Sequence, residues 1–272
     1  MRSFKVDELW VQIYGSAEDT ALAASAIARD ILQTAIEQQG KAVAIFATGR
    51  SQIPFLEYLS DPLSSPTQQS LDWPRITGFH LDEYLGIAAD HPASFRHYLR
   101  SHLRNKVPLG AWYDIEGDGL LPLEICRQYE QNLRRDRADL CCLGIGNNGH
   151  LAFNDPAVAD FSDPDWVKIV RLDRQNRQQQ LTSSPFPHLD AVPQYAFTLT
   201  LSAIRAARQS ICLAYGEGKS TVVKQLLTGP VGTHCPASIL RQMPQAKLLL
   251  DQAAAIGYAS PRQGVSLQGE FL

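Results

Sequence analysis

The sequence has little that would commit it to a membrane, a disulfide framework or a polyanion. No apolar run approaches the roughly 18 residues that span a bilayer, and the N-terminus has no basic-then-apolar leader. The five cysteines (Cys126, Cys141, Cys142, Cys212, Cys235) make no C-x-x-C pair and no disulfide pattern. A reducing cytoplasm is therefore the expected compartment. Basic charge is not in surplus: 25 Lys and Arg face 28 Asp and Glu, for a net charge of -3. No nucleic-acid partner is expected. His97 and His102 are five apart and do not share a helix face as H-x-x-x-H ligands would, so no metal site is expected. Repeats, low-complexity tracts and linkers are also missing. The 272 residues thus suit one large domain, 1–272, with ample core.

What is present is an alternation of strands and helices. Residues 1–14 suggest an edge strand, and 17–39 an Ala-rich helix capped by Ser16 and stopped by Gly40. Strands are expected at 42–48, 75–81, 140–144, 167–172, 195–201, 210–215 and 246–250. Helices are expected at 52–59, 93–103, 122–136, 173–181 and 218–227, with loops at 61–70 and 183–193. The alternation predicts an α/β fold with a mostly parallel sheet covered on both faces. The polar tail from Ala259 has weak patterning; it could pack against a second copy, so a homo-oligomer stays open.

One stretch organises the chain: D-L-C-C-L-G-I-G-N-N-G-H-L-A-F-N-D-P at 139–156. A buried strand breaks into glycines and presents His150 between Asn148 and Asp155. Gly144, Gly146 and Gly149 fit a dinucleotide-binding Gly-x-Gly-x-x-Gly, but only Asp163 and Asp165, in a Pro-containing loop, lie near the required acidic position. The nicotinamide reading is set aside. Ligands in open α/β sheets sit beyond the carboxyl ends of strands, where His150 falls.

Two other strand ends carry polar groups. T-G-R-S at 48–51 reads as an anion loop, since the free N–H groups of a helix start point outward; an ordinary βα turn with a capping Ser is the alternative. L-D-E-Y at 81–84 offers two adjacent carboxylates. They could cap the next helix, or Asp82 could be a general base if desolvation raises it from the reference of about 3.9. Lys219, near a helix start, could reach a phosphate or merely be solvated. A histidine paired with a carboxylate shuttles protons near neutrality. Together these residues suggest acid/base work on a phosphorylated small molecule. The Pro-rich, polar stretch 161–193 is a candidate lid.

These motifs, in this order, and C-P-A-S-I-L at 235–240, resemble the glucosamine-6-phosphate deaminases. The related 6-phosphogluconolactonases share the Gly-His core but usually lack D-E-Y and the F-N-[ED]-P that follows. The resemblance implies a three-layer α/β/α sandwich with a Rossmann-like sheet, no cofactor, and conversion of glucosamine 6-phosphate to fructose 6-phosphate and ammonia. It implies that His150 assists ring opening and that Asp82 takes the C2 proton. Thr48, Gly49, Arg50 and Ser51 correspond to the phosphate loop, Lys219 to a phosphate-binding lysine, and Arg177 to an arginine that grips phosphate. Asn148 stands where many members have Asp, and Asp155 where Glu is common. Arg50 replaces a small residue and Gln52 a proline. The allosteric residues of some bacterial members have no counterpart around 158–163, so no activation by an N-acetylated sugar phosphate is expected. Two other readings remain open: lactone hydrolysis, which would not need Asp82, and a silent sugar-phosphate sensor.

Overall fold

The structure is a computed structural model and describes residues 1–64 and 70–258. Residues 65–69 of the expected loop and the tail from 259 lie outside them. The N-terminal stretch, expected as one edge strand, is a hairpin. β1 (Arg2–Val6) pairs antiparallel with β2 (Leu9–Tyr14). Asp7 takes a left-handed backbone, φ 50°, in the tight turn between them. Helix α1 (Ala17–Gln39) begins and ends where its sequence signals lie. The Ser16 hydroxyl accepts from the Asp19 N–H at 3.0 Å, and Gly40, at φ 77°, donates its N–H to the Ile36 carbonyl.

β3 (Ala42–Phe46) leads to α2 (Gln52–Ser60), and β4 (Ile76–His80) to the short β5 (Asp82–Tyr84). The helix expected at 93–103 is split. α3 (Phe95–Leu99) widens into a π-helical turn over Arg100–Arg104, where Asn105 donates to the carbonyl of Arg100. β6 (Ala111–Trp112), α4 (Pro122–Arg135) and β7 (Leu140–Gly144) follow. The chain continues through β8 (Val167–Arg171), α5 (Arg174–Ser183), β9 (Tyr195–Leu199) and α6 (Leu201–Ala206). It ends with β10 (Gln209–Ala214), α7 (Ser220–Thr228) and β11 (Ala246–Asp251).

Eight strands form the main sheet in the order β1-β2-β11-β10-β7-β3-β4-β6, parallel except for β1. Every residue of β3 is buried, as are all but one of β7, β10 and β11, so helices cover both faces. This is the expected α/β/α layering. Phe46, Phe55 and Phe79 are among the side chains fully buried in its core, each stabilising by about 1.5–3 kcal/mol.

The sequence pattern did not separate β8 and β9 from the main sheet, and β5 reads in it only as the polar end of the strand before it. The three make a second, antiparallel sheet in the order β5-β9-β8. Its apolar cluster includes Tyr84, Phe95, Phe153, Val170 and Phe186. The main sheet reverses direction around β3: β4 lies on one side, and β7, β10 and β11 follow on the other. Such a reversal opens a crevice at the carboxyl ends of the strands.

Candidate active site

A cavity of about 710 Å³ occupies that crevice. Its walls come from the segments following β3, β4, β7 and β10. Thr48, Gly49, Arg50, Ser51, Asp82, His150 and Lys219 all line it. The fold thus brings together residues separated by more than half of the chain. Asn148 and Asp155 stand behind His150 rather than on the wall.

The anion loop is built by one glycine. Gly49 sits at φ 104°, which an L side chain rarely adopts, and its carbonyl accepts from the Gln52 N–H at 2.9 Å and the Tyr98 hydroxyl at 2.8 Å. Ser51 precedes α2 but its hydroxyl makes no capping bond, which leaves it available to a ligand. Arg50 is exposed at the rim. Lys219 bonds the Ile145 carbonyl at 2.7 Å and the Asn147 side-chain oxygen at 2.8 Å, pinning the glycine loop. Burial pushes its ammonium below the ordinary lysine range.

The two adjacent carboxylates divide their work because successive residues of a strand face opposite ways. Glu83 turns inward and is fully buried. It accepts from the N–H groups of Phe95 and Arg96, the Ser94 hydroxyl and the Arg96 guanidinium. The helix-capping alternative therefore holds for Glu83. Asp82 faces the cavity, and burial followed by the nearby charge of Glu83 raises its pKa well above the ordinary carboxylate value. His80, which the sequence reading passed over, holds its backbone. The His80 Nε2 accepts from the Ile115 N–H at 2.8 Å, so Nδ1 carries the proton and donates to the Asp82 carbonyl at 2.9 Å. Burial pushes His80 below its usual pKa, consistent with a neutral ring.

The same logic fixes His150. A carboxylate can only accept, so the Asn148 side-chain N–H₂ faces Asp155, 2.9 Å away. The Asn148 oxygen therefore faces the histidine, accepting from its backbone N–H at 3.1 Å and lying 2.7 Å from Nδ1. Nδ1, also 3.1 Å from Asp155, carries a proton toward these acceptors, so in the neutral tautomer Nε2 is the basic nitrogen. Asn148 thus serves as an oriented acceptor. Burial pushes the Asp155 carboxyl up, but His150 and the Asn148 and Asn176 amides outweigh it and hold the pKa below the ordinary value. The ring lies directly over Gly146, where a Cβ would meet its Cε1 at 2.1 Å.

Helix α5 crosses this site. Asn176, Gln179 and Gln180 share one face, at the three- and four-residue spacing that aligns helical side chains. Asn176 bonds Asp155, Gln179 accepts from the Asn147 N–H, and Gln180 accepts from the Tyr84 hydroxyl. Arg177 does not line the cavity. One residue on from Asn176 it is rotated by about 100°, and its guanidinium donates to the carbonyls of Leu189 and Val192. The polar spacing N-x-x-Q-Q was the available signal for the inward face of α5. Among the described residues no three His, Cys, Asp or Glu converge as a metal-ligand set, and no helix is long and apolar enough to cross a membrane.

Known proteins resemble the chain in sequence and in fold. The chain matches the model for glucosamine-6-phosphate isomerases/6-phosphogluconolactonase over residues 15–250. A glucosamine-6-phosphate deaminase of Oenococcus oeni is 32% identical over 218 residues, 80% of this chain and 87% of the relative. One from Lactobacillus delbrueckii subsp. bulgaricus is 31% identical over 233 residues, 83% and 91% of the two chains. A solved monomeric glucosamine-6-phosphate deaminase aligns with TM-score 0.82 at 28% identity, covering 91% of this chain and 99% of that one. A 6-phosphogluconolactonase of Trypanosoma brucei, 18% identical with TM-score 0.73 over 92% and 98%, shares the fold alone. On the match over residues 15–250, most of its sequence, the chain belongs to the glucosamine-6-phosphate isomerase/6-phosphogluconolactonase family.

Proposed function

We propose that the protein converts glucosamine 6-phosphate and water to fructose 6-phosphate and ammonia. The observation that carries this reading is one cavity lined by a buried carboxylate of raised pKa, Asp82, and by His150, whose Nδ1 is held by Asn148 and Asp155. The phosphate binds the N–H groups and hydroxyl of 48–51, with Lys219 as counter-charge. His150 Nε2 takes the proton from the O1 hydroxyl and delivers it to O5, which opens the ring. Asp82 then removes the C2 proton; the C–H electron pair becomes the C1–C2 double bond of an enolamine while the C1 carbonyl π pair moves onto O1, which takes a proton from the substrate's C2 ammonium. Return of that proton to C1 leaves a C2 imine. Water adds at C2 and ammonia departs.

A carboxylate with raised pKa is the stronger base toward a weak carbon acid, and such a group typically contributes about 10²–10⁴-fold. The relatives named as deaminases support the same reading. Lactone hydrolysis is the second reading, supported by the shared fold, and it needs activated water but no base at Asp82. The five buried thiols suit a reducing cytoplasm. The segment 161–193, through α5, acts as the cover of the bound sugar.

The test is ammonia release from glucosamine 6-phosphate, coupled to detection of fructose 6-phosphate, in the wild type and Asp82→Asn. Turnover by the wild type and a loss of about 10²-fold or more in the variant are expected. A wild type that hydrolyses 6-phosphogluconolactone instead, with Asp82→Asn unaffected, would sink the deaminase reading.

A further inference from the structure

Asp155 is 1% exposed and hydrogen-bonded from two sides. Asn148, from the glycine loop, holds one carboxylate oxygen. Asn176, from α5, places one amide nitrogen 2.9 Å from both oxygens. The direction of this second contact is imposed from further along. The Tyr84 hydroxyl donates to the Gln180 oxygen at 2.8 Å, and the Gln180 N–H₂ donates to the Asn176 oxygen at 3.1 Å. Asn176 is thereby left with its N–H₂ toward the carboxylate. The chain begins two residues after Asp82 and ends on the partner of His150.

We propose that Asn176 is a positioning residue for the His150–Asp155 pair, so that docking of α5 both covers the cavity and aligns the proton shuttle. This rests on the deaminase reading above. A helix surface does not require a buried asparagine at this point. Asn176 is 1% exposed, and its backbone N–H is already satisfied by Asp173 at 2.6 Å. Its side chain has given up solvent for one carboxylate, a charge-assisted contact stronger than one between neutral groups. With α5 undocked, Asp155 loses its second donor and the Nδ1–H of His150 loses a fixed acceptor. A site without substrate cover is then also a site with a poorly held imidazole.

Other groups face the pair from its surroundings. Asp82 and Tyr84 come from β5, Lys219 from ahead of α7, and Cys235 packs beneath Gly149. Lys168 of β8 ends on Val158 and Asp163. Substitution at Asn176 removes none of these contacts of Asp82, Lys219, Cys235 or Lys168, whereas in the alanine variant the Gln180 N–H₂ loses the acceptor that links it to this chain from Tyr84.

The full-length protein is compared with Asn176→Ala, which removes the donor, and Asn176→Asp, which keeps the shape but turns a carboxylate on Asp155. kcat is expected to fall about tenfold in the alanine variant and further in the aspartate variant, with KM within about threefold. The acidic limb of the kcat/KM profile moves to higher pH in both, because Asp155 loses stabilisation of its charged form. A purely structural role would lower the melting temperature and leave that limb where it is. Titration of the Asp155 carboxyl by ¹³C NMR gives a readout independent of turnover, and its midpoint is expected to rise in both variants. If the wild type releases no ammonia, the functional reading fails and this titration alone decides the role of Asn176. An unchanged midpoint, or a wild-type pH profile in both variants, overturns the proposal.

Discussion

Gly146→Ala should disable the enzyme without unfolding it. The backbone at Gly146 does not take the left-handed φ that would exclude alanine, so the substitution introduces only a methyl group. That methyl would stand 2.1 Å from Cε1 of His150 and 2.3 Å from both ring nitrogens. Carbon–carbon contacts settle near 3.5 Å, so the ring must withdraw by roughly 1.4 Å. Nδ1 is tied to Asn148 and Asp155, and a displacement of that size breaks at least one of those bonds. Misplacing a reacting group by about 1 Å can cost about 10²-fold. kcat should therefore fall by about that factor.

The neighbouring Gly144→Ala is the control. Its methyl would meet Ser51 and Gln52 only at 3.6 and 3.7 Å, ordinary contact distances. The pair is assayed by steady-state kinetics and by melting temperature. Gly146→Ala with kcat within about threefold of the wild type would refute the idea that ring position limits turnover. Equal losses in both variants would refute it as well.

Three further outcomes follow from the same geometry. Asp82→Asn should raise the melting temperature at pH 7–8, with the gain vanishing toward about pH 4. A carboxyl whose native pKa exceeds its unfolded value binds more protons when folded, so it withdraws stability as pH rises through that window. A scan across pH that shows no gain would count against the buried, cavity-facing placement. Tyr98→Phe removes the hydroxyl that holds the Gly49 carbonyl, and should raise KM by about 2–10-fold with kcat nearly constant. Arg96→Met leaves Glu83 buried without its cation, and should lower stability by about 3 kcal/mol or more in denaturant titrations.

How far the sequence could be read depended on what kind of signal each residue carried. Capping chemistry marked α1 at both ends, because Ser16 and Gly40 act through adjacent backbone. The apolar runs at β3 and β7 marked central strands, since both faces of each are buried. Asp82, His150 and the 48–51 loop were legible because they follow strands directly. Two things were not legible. Which sheet a strand joins depends on pairing with distant partners: β8 and β9 look like ordinary members of one sheet until they are paired, and β5 reads only as the polar end of the strand before it. Which residue of a polar helix faces inward depends on docking angle. Arg177 carries the charge that attracts attention, yet the neutral Asn176 meets the site. His80 was hidden for a third reason: its contribution lies in a hydrogen bond to a main-chain carbonyl, which no side-chain pattern announces.

Asp82 belongs to the three-stranded sheet, whereas His150 rides on the loop after β7 of the main one. The proposed proton acceptor and the proposed ring-opening imidazole thus rest on two sheeted bodies, the smaller with an apolar cluster of its own, although its Val167, Phe197 and Leu199 also pack into the main core. Local opening of marginal substructures occurs at lower free energy than global unfolding. Loosening of the smaller body would pull the two groups out of register while the large sheet stayed intact. Turnover should therefore disappear on warming before the far-ultraviolet signal does, and amides of β8 and β9 should exchange ahead of those of β3 and β7. A phosphosugar in the cavity touches both bodies and would act as a rivet between them, delaying inactivation more than it delays melting.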